Sequence, residues 1–224
     1  LFPSTDNLAL AERIHLLATE KRVTVLGTGV NPGFVMDALP LFLTGVCQDV
    51  REIHVQRIVD AATRRYPLQK KIGAGMTPEL FHREIDKKTL GHVGLLESLY
   101  LIIDKLGLPV DSVQESVSPV IAEHPVRTDY FTIKPGEVAG IKHIAKGISR
   151  EKEILTLDLR MYIGAPEPHD AIQIVGTPDI NVRIEGGVAG DQATAAILVN
   201  SIPAVLDAKP GLITVKDLPS PYCY

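Results

Sequence analysis

Two cysteines, no long apolar run, no histidine pair at ligand spacing and no GxGxxG mark this chain of 224 residues first by what it does without. Cys47 and Cys223 lie far apart, and a secreted disulfide scaffold would need more, so a reducing cytoplasm is the expected compartment. The seven histidines show no HxH, HExxH or HxxxH spacing, so no metal site is expected. The longest strongly apolar stretch, Phe34 to Val46, is interrupted by Asp37 and Pro40 and is too short to span a bilayer. Leu1-Phe2-Pro3-Ser4 lacks the basic start of a signal peptide, and the missing initiator Met reads as a hint of truncation. A net charge of -4, a pI near 6.0 and no Lys/Arg cluster beyond a solvated face exclude a nucleic-acid partner, and nothing favours a membrane one.

What is present suits one large globular domain, or one with a small appendage. Asp6 can cap a helix to about Lys21, with Leu10, Ile14, Leu17 and Ala18 on one face. Arg22 to Leu26 reads as a short buried strand, closed by Gly27-Thr28-Gly29 and followed by a helix from Phe34. That is one unit of a doubly wound sheet, and its strand is expected to need neighbours that the chain does not supply. From about Val50 the pattern changes. A strand begins at Ile53 and Val55 and runs toward Ala61, and Thr77-Pro78-Glu79 starts a helix. Leu95, Leu99, Ile102, Ile103 and Leu106 follow at helical spacing, with Gly107 as stop. Four or five strands come next, clearest where Leu155, Leu157, Leu159, Met161 and Ile163 alternate with Thr156, Asp158, Arg160 and Tyr162. Gly186 to Asp191 opens a small-residue helix, and the tail after Lys209-Pro210-Gly211 is extended. The expected fold is α+β: a largely antiparallel or mixed open sheet covered by helices on one face, with a Rossmann remnant in front. The expected boundaries are 1–33 for that remnant, 34–207 for the α+β domain and 208–224 for a tail returning to the remnant.

Four stretches could carry chemistry. Gly27-Thr28-Gly29-Val30-Asn31-Pro32-Gly33 joins a strand to a helix, where open sheets place ligands, and Asn31 offers both donor and acceptor; a tight turn with a capping Asn is the plain alternative. Arg64-Arg65, at the head of a basic glycine-containing loop to Gly75, could hold a carboxylate or be merely solvated. His92 lies near a helix start, whose dipole favours the neutral ring, and could bond substrate or simply pack. Gly186 to Thr194 exposes amides at a helix N-terminus, an anion site or a close-packed turn.

Taken together, these stretches resemble one family. Thr24 to Asp37, Arg64 to Gly75, Gly91-His92-Val93-Gly94-Leu95 with Glu97-Ser98, Gly187 to Ala196, and Pro210-Gly211-Leu212 with Asp217-Leu218-Pro219 resemble 2,4-diaminopentanoate dehydrogenase and its amine dehydrogenase relatives, in order and over essentially the whole chain. The family is similar in architecture to dihydrodipicolinate reductases, with an N-terminal Rossmann domain and a C-terminal α+β domain. The paired histidines and Ser-Gly-Thr loop of those reductases are absent around Ile53 to Gly75, which disfavours their substrate.

The resemblance implies hydride removal from an amine-bearing carbon of a diamino acid, with NAD or NADP as acceptor and hydrolysis of the imine to ketone and ammonia. It places Gly27, Thr28, Gly29, Asn31, Pro32 and Gly33 beside the nicotinamide, and His92, Arg64 and Arg65 near the substrate, with His92 as the catalytic candidate. The family's GxGxxG and amine-handling carboxylate lie upstream of the first helix here, so the chain alone is expected to bind cofactor poorly and to turn over nothing detectable. The alternating sheet suggests a homodimer through a wet face carrying Thr156, Asp158, Arg160 and Tyr162. The alternatives are a stand-alone non-catalytic dimerisation or ligand-binding domain, and an imine reductase.

Overall fold

The computed structural model describes residues 7–223. Its centre is a mixed six-stranded sheet in the order β3 (Ser112–Ile121), β6 (Val138–Ser149), β7 (Lys152–Tyr162), β2 (Asp49–Asp60), β8 (His169–Thr177), β9 (Ile180–Glu185). Only β2 and β7 run parallel; the other neighbours are antiparallel. A two-stranded arm, β4 (Val126–Arg127) and β5 (Thr132–Ile133), forms its own ladder, not hydrogen-bonded into that sheet.

Alternation along each strand sorts the side chains onto two faces. One register row across the sheet reads Gly147, Leu155, Ile53, Ile174, Ile180, and the next reads Ala145, Leu157, Val55, Ile172, Val182. Ile53, Leu155, Leu157 and Ile174 are wholly buried there under Leu95, Leu99 and Ile102 of α5 (Leu95–Leu106) and under α2 (Ala38–Thr44). Each such side chain contributes roughly 1.5–3 kcal/mol through burial. A second core forms where Phe81 of α4 (Pro78–Asp86) meets Ile72, Ile133, Ile141 and Ile163. Thr77 caps α4 by accepting from the Leu80 amide, with Pro78 in the first turn. The opposite sheet face is polar: His54, Gln56, Thr156, Asp158, Gln173, Asn181 and Arg183 line a shallow basin there.

The N-terminal unit consists of α1 (Leu8–Lys21) and β1 (Thr24–Leu26). Contrary to the expectation from sequence, the chain supplies a neighbour for β1. The tail strand β10 (Gly211–Ile213) pairs with it in parallel, followed by a 3-10 turn, Val215–Asp217. The Leu212 amide donates to His15 Nδ1 of α1 at 3.2 Å, and α6 (Gly190–Asp207) packs against β1.

Other local readings shift. Arg22 is not strand but the left-handed C-cap of α1. Asp6, the expected cap, lies outside the described residues, and Asn7 at the N-cap makes no side-chain cap bond. Of the expected apolar face of α1 only Ala18 is buried, while Leu10 and Leu17 are more than half exposed. Regular helix after the glycine turn starts at Ala38 rather than Phe34, because the Asp37 side chain accepts from the Ala38 amide and caps it there. The basic stretch after Arg65 is not all loop: Tyr66–Lys71 forms α3, with Pro67 in its first turn.

Candidate functional site

The third register row of the buried face reads His143, Leu159, Arg57, Asp170, which puts ionisable groups where the two rows beside it are hydrocarbon. Departures of this kind from an apolar pattern mark functional or strained places. Arg57 is 3% and Asp170 1% exposed. Arg57 Nη1 donates to both Asp170 oxygens at 2.8 and 2.7 Å, and Arg57 Nη2 donates to the Val188 carbonyl at 2.7 Å. The Val188 amide in turn donates to Asp170 Oδ2 at 2.7 Å. Burial pulls the guanidinium down from its ordinary value, and the charge and hydrogen bonds of Asp170 oppose that. The buried pair thus holds the Gly186–Ala189 turn by both polar groups of one peptide residue.

That arrangement alters the anion site expected over Gly186 to Thr194. The Val188 amide is committed to Asp170, and Asp191 occupies the first turn of α6. Arg64 Nη2 donates to Asp191 Oδ1 at 2.9 Å, and Arg65 Nη2 lies 3.5 Å from the same oxygen. The hydrogen bond of Arg64 therefore goes to α6, not to His92. Around this group opens a cleft of about 360 Å³ lined by Asp60, Thr63, Arg64 and Gln192.

The second centre is the loop after β1. Gly33 has φ +125°, and a Cβ there would lie 2.4 Å from the Gly29 amide nitrogen, so the loop folds tightly on itself. The Gly33 amide and the Ser98 hydroxyl both donate to Asp37 Oδ2, at 2.7 and 2.8 Å. Burial pushes the Asp37 carboxyl up, against the lowering effect of these donors. The Asn31–Pro32 peptide is cis, and the Pro32 ring rests on Gly94, where a Cβ would come within 2.5 Å of Pro32 Cγ. His92 Nε2 lies 3.1 Å from the Asn31 main-chain oxygen; a carbonyl only accepts, so this nitrogen carries the proton. The segment 92–98 therefore holds the loop at three points: His92 on Asn31, Gly94 on Pro32, and Ser98 through Asp37 on Gly33.

Asn31 does not present both amide groups, as expected from its sequence. Its Nδ2 donates to Met36 Sδ at 3.3 Å, and Oδ1 is buried with no hydrogen-bond partner among the described residues. His92 is held neutral, as expected, but the leading cause is burial rather than a helix dipole. Burial, with the positive fields of His143, Lys71 and Arg57, lowers it to about 4, against the Asn31 carbonyl. Its ring meets that of His143 edge-on at 6.1 Å, and His143 Nε2 bonds Glu115 Oε1 at 2.8 Å. Beside the loop a cleft of about 540 Å³ opens, with Thr28, Gly33 and Phe34 on one wall and Ser201 and Pro219 on the other.

The sequence-derived candidates thus fall into two groups, Gly27 to Gly33 with His92, and Arg64 with Arg65. Sequence reasoning missed Arg57, Asp170, Asp37, Ser98, His143 and Glu115. The signal for Arg57 was available: Ile53, Val55, Arg57 and Val59 share one face of β2, so the arginine occupies a core position. Asp37, an acid interrupting the apolar run Phe34 to Val46, offered a similar signal, whereas the pairings Asp37–Ser98, Arg57–Asp170 and Glu115–His143 join residues distant in sequence.

A family model described as the 2,4-diaminopentanoate dehydrogenase C-terminal domain matches residues 34–224. The chain is 34% identical over 229 residues to 2,4-diaminopentanoate dehydrogenase of Acetoanaerobium sticklandii, an overlap covering 98% of this chain and 64% of that protein. It is 26% identical over 227 residues to amine dehydrogenase of Streptomyces virginiae, covering 90% of this chain and 62% of that one. The chain thus spans less than two thirds of the length of these relatives. An amine dehydrogenase structure from Mycobacterium smegmatis superposes with a TM-score of 0.86 over 100% of this chain and 67% of that one; at 21% identity this likeness concerns the fold. By the family match and the identity together, the chain belongs to the 2,4-diaminopentanoate dehydrogenase C-terminal domain family.

Proposed function

We propose that the chain forms the substrate- and nicotinamide-facing part of a NAD- or NADP-dependent dehydrogenase that oxidatively deaminates 2,4-diaminopentanoate or a related diamino acid. The observation that carries this reading is the Gly27–Gly33 loop, closed at the end of β1 and held by His92, Gly94 and Ser98 beside a cleft. The names of the relatives supply the chemistry. A bound dinucleotide supplies the hydride acceptor. Gly27, Thr28, Gly29, Pro32 and Gly33 border its ring through their main chain, and Asn31 fixes the loop's tip. Glycine backbones suit that task, since a flat ring can approach them closely.

His92, neutral at pH 7, orients the amine and repels no cation. Arg64 and Arg65 hold the substrate carboxylate, sharing their charge with Asp191. α1, β1 and β10 are read as the last units of a dinucleotide-binding domain; the exposed Leu10, Leu17, Leu198 and Ile202 on α1 and α6 support a further layer against them. The polar sheet face joins two copies in a dimer, in a cytoplasmic setting.

The test is reduced-nicotinamide absorbance in a chain of the relatives' length that contains these residues. The substrates are 2,4-diaminopentanoate, simple amines and cyclic imines, with each cofactor. Amine-dependent reduction of NAD or NADP is expected. Cofactor oxidation with imines alone would make the protein an imine reductase, and silence with all would leave a binding domain.

A further inference from the structure

We propose that the cleft between the end of β2 and the start of α6 receives an α-amino-acid head group, its carboxylate on the Nε–Nη2 edge of Arg64 and its ammonium on Asp191. Both residues line this cleft of about 360 Å³, together with Asp60, Thr63 and Gln192. That edge of a guanidinium offers two parallel N–H groups, spaced to meet both oxygens of one carboxylate. In Arg64 the edge is half used. Nη2 donates to Asp191 Oδ1 at 2.9 Å, while Nε is buried with no hydrogen-bond partner among the described residues. A buried donor without an acceptor is costly, and a carboxylate that meets Nε and Nη2 together removes the cost. Asp191 is half exposed and shares its oxygen with Arg65 at 3.5 Å, so its hold on Arg64 is weak and yields to such a ligand.

The charge around the cleft selects a zwitterion. Arg57 is neutralised by Asp170 within the sheet, which leaves Arg64 and the exposed Arg65 against Asp60 and Asp191. The balance is even. A carboxylate without an amine would face two acids, and an amine without a carboxylate would face two guanidinium groups. An α-amino acid brings one charge of each sign. Its carboxylate displaces Asp191 from Arg64, and the displaced Asp191 takes the ammonium.

The place of the cleft fits this ligand. A Cβ on Gly190 would lie 2.7 Å from Arg64 Nη1 and 3.1 Å from Nη2, so the guanidinium rests against a bare Cα. Four residues on, Thr194 Oγ1 donates to the Gly190 carbonyl at 2.7 Å, and Thr194 Cγ2 lies 3.8 Å from where a Cβ on Gly29 would stand. The cleft and the glycine loop are therefore about one turn of α6 apart. A head group held at Arg64 leaves a second amine, further along the same molecule, within reach of that loop, which separates a diamino acid from a simple amine. The site deepens the proposed function and rests on it for the reaction. The binding claim does not.

The experiment follows the Arg64 Nε–H resonance of the chain at neutral pH, assigned by its loss in Arg64→Lys. The titrants are 2-aminobutyrate, butyrate and propylamine at equal ionic strength. 2-Aminobutyrate should shift the resonance saturably and bind about tenfold more tightly than either fragment, as expected for one further charge-assisted hydrogen bond. Asp191→Asn should move the two acids in opposite directions. The dissociation constant of 2-aminobutyrate rises about tenfold because the ammonium loses its partner, and that of butyrate falls because the Arg64 edge is vacated. A merely structural role would weaken both alike. Gly190→Ala, at a helical position, pushes the guanidinium aside and should abolish the shift in a protein that still unfolds cooperatively. An unmoved resonance, butyrate or propylamine bound as tightly as 2-aminobutyrate, or both constants moving the same way in Asp191→Asn would overturn the proposal. Saturable binding with no amine turnover in the absorbance assay would sink the dehydrogenase reading and leave the site standing. Turnover of 2,4-diaminopentanoate with an unmoved Arg64 would do the reverse.

Discussion

At the scale of single residues, the loop at Asn31 is fixed by what two glycines lack. Gly94 has φ +103° and carries the Pro32 ring on its bare Cα. Gly94→Ala adds both a left-handed strain and a clash, and is expected to destabilise the fold by about 1–3 kcal/mol, read as a lowered urea midpoint with an unchanged slope. An unaltered midpoint would show that the proline moves freely. Such contacts were not legible in the sequence, where the glycine of Gly91-His92-Val93-Gly94 could have served any turn. His92 itself was legible as a candidate, but not the reason for its neutrality. Its value near 4 in the fold lies below the ordinary 6.5, so the unfolded chain binds the proton more readily between them. Stability present above pH 6.5 is thus lost as the pH falls through the interval toward 4, by up to about 3 kcal/mol. His92→Gln should flatten the stability curve between these limits; an equally steep curve in the variant would assign the slope elsewhere.

Among the elements, the sheet and the α4 and α5 helices were readable because alternation and helical spacing survive in Leu155 to Ile163 and in Leu95 to Leu106. β1 was misjudged as lacking a partner because its neighbour β10 lies almost the whole chain away, and pairing at that separation leaves no local pattern. The same distance hid the ion pair between β2 and β8. Asp170→Ala should cost about 3–5 kcal/mol in chemical denaturation, because it leaves Arg57 charged and buried without its counter-charge and also frees the Val188 amide. The double variant Arg57→Met, Asp170→Leu should recover much of that loss, since it removes both charges together. A double variant as unstable as the single one would show that the pair contributes more than mutual neutralisation.

For the molecule as a whole, one sheet face is sealed by helices and the other is open and polar. On that open face Arg160 Nη2 meets Asp158 Oδ2 at 2.7 Å beside Gln56. An isologous contact there should give a dimer mass in sedimentation equilibrium, and Arg160→Glu should shift it toward monomer by setting like charges across the axis. A monomer at all concentrations would remove this face from the account. The overall α+β class was legible in the sequence, and so was the glycine loop. The closing of that loop against residues 92–98 was not, because it depends on three contacts some sixty positions apart in the chain. The claim that joins these scales is that amine oxidation takes place at the Asn31 loop. Its most direct test is kcat/KM of Asn31→Ala for the amine, measured by nicotinamide reduction in a chain of the relatives' length, beside its melting temperature. A fall of roughly tenfold to a hundredfold, larger than any accompanying loss of melting temperature explains, is predicted, because the loop's tip loses the hydrogen bond to Met36 that fixes it. An unchanged kcat/KM would place the chemistry elsewhere.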